Sequence, residues 1–248
     1  MKWNIGNMKD KTLEEQEDYW KNRNLDGIIC KEKFEKETTR ILFLGHEPWV
    51  KTEADYNNYQ GEIDFVLTKG ENPTGGTYLA NACDIAAGLL SKERKGCLFY
   101  TALINLKKSP RIGSNELSLE VSKACEYNRD FLFNQLKEIN PTIIIASNVL
   151  DGKERLWNPW EEYRNDCLLY ILFNNNEFNQ IVSNSNIDFY IEKNSGMLLI
   201  DVPHLASGRY GDDGFKQELI PTIVRGYKEI EDEKYEKCED WISRRERR

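Results

Sequence analysis

The sequence predicts an α/β protein: a three-layer αβα sandwich around a central four-stranded, mostly parallel sheet. Three observations carry that expectation. Four short runs, Ile41–Gly45, Cys97–Ile104, Thr142–Ala146 and Met197–Val202, are apolar almost throughout, as strands covered on both faces must be. Helical patterns lie between them, at Tyr78–Leu90, Glu116–Ile139 and Gln217–Tyr235. Alternating strands and helices place helices on both faces of a parallel sheet, with ligands gathering at the carboxyl ends of the strands.

Taken in order, residues 1–39 are charged and predict a helix near Thr12–Arg23, packed on the outside as an N-terminal extension. Gly75 and Gly76 precede the Ala- and Leu-rich helix Tyr78–Leu90. Glu116–Ile139 has an apolar stripe at Leu119, Ala124, Phe131, Leu132 and Leu136, and Pro141 closes it. Residues 151–195 are rich in Asn and aromatics and contain two strand-like stretches, Cys167–Phe173 and Ile187–Glu192. They predict an inserted lid or subdomain within one domain spanning 1–248. Arg244–Arg248 predicts a solvated tail.

Bulk composition excludes several classes. With 248 residues, 40% hydrophobic and 31% charged, the chain can bury a sizeable core. It lacks the run of ~18–20 apolar residues that a membrane-spanning helix needs. Residues Met1 to Asp10 lack the apolar core of a signal peptide, which predicts a cytoplasmic protein. The six cysteines form no C-x-x-C pair and predict free thiols, with no metal and no cofactor. Neither a phosphate-binding Gly-Lys-Ser/Thr loop nor G-x-G-x-x-G occurs. A net charge of −8 argues against a protein that coats DNA nonspecifically, but a DNA enzyme needs only one basic face.

Both histidines of the chain follow predicted strands: His46 in Gly45-His46-Glu47-Pro48-Trp49, and His204 in Pro203-His204-Leu205-Ala206-Ser207-Gly208-Arg209. A third strand end carries Asn105. A carboxylate, two imidazoles and an amide thus converge on one sheet edge, the pattern of an active site. The plain alternative is a pair of satisfied surface or core histidines.

Gly45–Trp49 resembles the water-activating motif of uracil-DNA glycosylases, G-Q-D-P-Y or G-E-A-P-G. His204-Leu205-Ala206-Ser207 resembles their second motif, H-P-S-P or H-P-A-x. Pro73–Leu79, Tyr100–Pro110 and Glu126–Val149 resemble further segments of that superfamily, in its order and near its spacing, so the likeness covers roughly 40–150 and 196–230. It implies a uracil-DNA glycosylase-like fold that hydrolyses the N-glycosidic bond of a base flipped out of DNA. The cysteines that hold an iron–sulfur cluster in thermophile-type members have no equivalent set here, only Cys125 lying near such a position, so no cluster is expected. Trp49 stands where the archetype has the Tyr that walls off the base's 5-position, and the proline after the second-motif histidine is missing.

The residue types suit that chemistry. Glu47 orients water and opposes the positive charge of an oxocarbenium-like sugar, with His46 beside it. His204 hydrogen-bonds the departing base where negative charge develops. Asn105 either reads a Watson–Crick edge or caps a strand–loop junction. Phe65 or Tyr78 stacks on the base, or each is an ordinary core aromatic. Lys107, Lys108 and Arg111 hold phosphates or form a solvated loop. Leu205 and Arg209 lie where the superfamily places the wedge that fills the hole left by the base, and Ser207 beside them is a further DNA-binding candidate.

Three functions follow. The first is a monomeric DNA glycosylase acting on a modified base, resembling phage-defence glycosylases that remove glucosylated hydroxymethylcytosine. The second is a glycosylase fold that has lost catalysis and serves as a DNA-binding or sensor module. The third is an unrelated α/β hydrolase of a small substrate, using Glu47 and His46.

Overall fold

The computed structural model describes residues 11–21, 26–46, 48–50, 65–70, 77–112, 119–147, 178–184, 187–205 and 218–245. At its centre lie four parallel strands: β2 (Ile41–Gly45), β4 (Thr101–Asn105), β6 (Ile143–Ser147) and β9 (Leu198–Val202). Their sheet order is β4-β2-β6-β9, and every one of their residues is buried. These are the four apolar runs of the sequence, with Cys97–Tyr100 forming a 3-10 turn ahead of β4.

The sheet is wider than the expected four strands. Two-residue β1 (Gly27–Ile28) adds antiparallel to β4, and β8 (Ile187–Glu192) with β7 (Phe178–Asn184) adds antiparallel beyond β9, making seven strands among the described residues. Burial alternates along much of β8, as expected where one face of an antiparallel strand is left wet, so no continuous apolar run announces it. Residues 178–184 and 187–192 of the expected lid therefore belong to the central sheet. The other strand-like stretch, Cys167–Phe173, lies outside the described residues.

Side chains alternate across the sheet into two cores. Ile41, Phe43, Ile145 and Ile200 pack against α3 (Thr77–Leu90) and α6 (Ile220–Arg245). Leu42, Leu44, Ile104 and Ile144 pack against α2 (Lys31–Phe34), α4 (Leu119–Tyr127) and α5 (Arg129–Ile139). Each fully buried Ile, Leu or Phe contributes ~1.5–3 kcal/mol, so the layering follows from burying both faces. Helices α3 and α6 cross closely because Gly88 has no side chain: a Cβ there would lie 2.5 Å from Val224 Cγ2. No helix among the described residues is long and apolar enough to cross a membrane.

Two helical expectations need correction. The pattern Glu116–Ile139 forms two helices, because the chain leaves helical geometry at Asn128 (φ −88°, ψ 5°), whose side chain is buried against Glu17. Helix α1 (Leu13–Trp20) starts where the sequence predicts a helix, with a Thr12–Glu15 capping box. It is not an outer appendage, however. Glu17 and Trp20 are buried, and Glu17 is engaged by the N–H groups of Lys108 and Ser109 after β4 and by Asn128.

Candidate active site

Strand β2 is the first of the four parallel strands, with the second (β4) on one side and the third (β6) on the other. The strand order reverses there, where α/β sheets open a crevice at their carboxyl ends. All four carboxyl ends deliver polar groups: Gly45-His46 from β2, Asn105 from β4, Ser147 from β6, and His204 just after β9.

The two histidine rings lie 6.2 Å apart between centroids, both partly exposed. The Tyr78 ring, near the start of α3, lies 5.8 Å from that of His204. Part of Tyr78 reaches solvent, while its hydroxyl is buried beside Gly45 and Ser147, and burial pushes the phenol well above its usual range. Tyr78 therefore stays neutral and meets a ligand or a neighbour as a neutral hydroxyl.

Asn105 pairs in register with Gly45 across β2 and β4. A Cβ on Gly45 would fall 2.6 Å from Asn105 Oδ1 and 3.3 Å from the Tyr78 hydroxyl oxygen. Glycine is thus what lets the amide and the phenol approach the end of β2. Gly45→Ala is expected to leave the fold intact, since only side-chain tips must move, but to swing the Asn105 amide aside. If the site is catalytic, misplacement by about 1 Å can cost ~100-fold in turnover. Unchanged turnover in that variant would show that the Asn105 orientation is immaterial.

The backbone around each histidine is anchored. The Lys107 N–H donates to the His46 carbonyl at 2.8 Å, one step beyond the Leu106 N–H bond to Gly45 at 3.0 Å. Farther out, β3 (Trp49–Val50) and β5 (Arg111–Ile112) continue side by side as a parallel pair with Trp49 opposite Arg111. After β9, the Leu205 N–H donates to Ser147 Oγ at 2.9 Å, and Asn81 Nδ2 donates to the Leu205 carbonyl at 2.7 Å. Ser147 and Asn81 were not among the sequence candidates. Ser147 could have been found as the polar residue ending the run Ile143–Ala146, whereas Asn81 is one polar position inside an apolar helix.

Three expected DNA contacts need correction. Lys107 and Lys108 are 2% and 0% exposed, so neither offers its ammonium to a phosphate on the surface. Lys108 Nζ instead pairs with Asp26 Oδ2 at 2.6 Å, donates to Gln135 Oε1 at 3.0 Å and lies over the Phe131 ring. Burial pushes the Asp26 carboxyl up and the Lys108 ammonium down, while their mutual attraction opposes both shifts. Leu205 is fully buried in the core, so it is an anchor for the His204 turn rather than a solvent-facing wedge.

The geometry thus brings together His46, His204, Asn105 and Tyr78. Phe65 is half-buried at the start of a helical turn over 65–69, and among the described residues no ring contact joins it to the histidines. Trp49 and Arg111 are placed by their backbones alone, and Glu47, Ser207 and Arg209 lie outside the described residues. No protein-family model matches the chain, and no curated protein matches it at a significant level.

Proposed function

We propose that this protein is a DNA glycosylase that hydrolyses the N-glycosidic bond of a flipped, modified base and leaves an abasic site. The observation that carries the reading is the gathering of two imidazoles, an amide and a phenol at the carboxyl ends of four parallel strands. Asn105 supplies the donor–acceptor pair that recognises a base edge. His204, held by the Leu205 anchors, hydrogen-bonds the leaving base as the glycosidic electron pair departs with it. Glu47 opposes the charge on the sugar and takes a proton from the water whose oxygen bonds to the anomeric carbon. His46 lies beside His204 at the same strand ends. Arg111 is the remaining candidate for phosphate contact, and Ser207 and Arg209 remain DNA-binding candidates.

Within this reading the target is a bulky cytosine, such as the glucosylated hydroxymethylcytosine of phage DNA, and the role is antiviral defence. The resemblance noted above and Trp49 at the base-wall position support it. The net charge of −8 favours the alternative, a DNA-binding or sensor module without catalysis. The deciding experiment incubates excess protein with unmodified, uracil-containing and glucosylated phage DNA, then cleaves abasic sites with alkali. Strand scission confined to modified DNA supports the glycosylase and its defence role. Binding without scission on any substrate establishes the module instead.

A further inference from the structure

We propose that Glu17 and Asp26, two carboxylates of the N-terminal segment, are positioning residues that hold the end of β4 and thereby aim Asn105. Both side chains are out of solvent: Glu17 is 0% exposed and the Asp26 side chain 2%. Asp26 Oδ1 accepts the Asn105 main-chain N–H at 3.1 Å, and Asp26 Oδ2 takes Lys108 Nζ at 2.6 Å and Gln135 Nε2 at 3.2 Å. Glu17 accepts the N–H groups of Lys108 at 2.7 Å and Ser109 at 2.8 Å, and the Asn128 amide as well.

Five residues thus donate to two carboxylates, and three of the bonds fall on the backbone of the stretch from Asn105 to Ser109. That stretch also bonds His46 through the Lys107 N–H, so the same clamp reaches the first histidine. Buried N–H groups need acceptors, and ionised acceptors give the stronger bonds. A loop joined only to its neighbours in the sheet would not need two buried carboxylates from another part of the chain. The segment that precedes the sheet is in this reading a working part of the site.

The test compares two double variants matched for removal of the buried charge pair: Asp26→Asn with Lys108→Met, which keeps an acceptor for the Asn105 N–H, and Asp26→Ala with Lys108→Met, which does not. Amide exchange followed by NMR needs no assumption about activity. Exchange at Asn105 should accelerate roughly ten- to hundredfold in the Ala double and stay near wild type in the Asn double. Glu17→Ala should do the same at Lys108 and Ser109, with Glu17→Gln giving partial rescue. Amides of β6 report global opening and should not follow. Equal acceleration at β6 and Asn105, or none at Asn105, overturns the proposal. A second arm rests on the glycosylase reading: turnover should fall at least tenfold in the Ala double, and affinity for abasic DNA should change little. Changed exchange with no activity in any form, wild type included, rejects that reading and leaves the clamp standing. Unchanged turnover in an active Ala double rejects the aiming of Asn105.

Discussion

On the glycosylase reading, replacing His204 by alanine is expected to slow base release by a hundred- to thousandfold in single-turnover assays. Removal of one preorganised donor facing a developing oxyanion typically costs about 3–4 kcal/mol of transition-state stabilisation, which is that factor in rate. The loss should appear in the chemical step, because the imidazole meets the base where charge develops only as the bond breaks. Glu47→Gln should be comparably slow, since the amide is nearly isosteric but no longer opposes the positive sugar. Affinity for DNA that already contains an abasic site should change far less, because phosphate contacts supply most of it. The fold should survive in His204→Ala, because the backbone of the turn is held through Leu205 by Ser147 and Asn81. Wild-type rates in both variants would remove these residues from the chemistry.

The second large effect concerns stability. Lys108→Met leaves the Asp26 carboxylate buried without its cation, and breaking one side of a buried pair typically costs about 3–5 kcal/mol. For a protein of ordinary stability that is a large share of the total. The double variant Asp26→Asn with Lys108→Met removes the stranded charge and keeps an acceptor for the Asn105 N–H, so it should regain much of the loss. Urea unfolding followed by circular dichroism measures all three proteins. A Lys108→Met midpoint equal to wild type would mean that the ammonium is solvated rather than buried. A double variant no better than the single one would mean that the charge pair is not the source of the loss.

The sequence by itself determined the four central strands, because residues covered on both faces must be apolar at every position, and that run is visible without any partner. It also put His46, Asn105 and His204 on one edge, since parallel strands deliver their carboxyl ends to the same side, but the strand order decided which of them come close. The sequence also placed a helix from about Thr12, and the capping box that starts it is a local device. Strand β8 was noticed as strand-like but assigned to a lid, because its alternating burial does not say which sheet it joins.

The tertiary structure decided the rest. Lys107, Lys108 and Arg111 read as a basic loop because the group that accepts the Lys108 N–H, Glu17, lies 91 residues earlier in the chain. Glu17 lies on the buried side of α1 with Trp20 three residues on, and a charged residue on such a side signals a partner without naming it. Asn128 read as one more polar position on a helix until the fold brought that same carboxylate to its amide. Local patterns record how each residue meets water and its neighbours within a few turns. A buried charge is tolerable only beside an opposite charge or a set of donors, and which distant residues supply them is settled when the layers close.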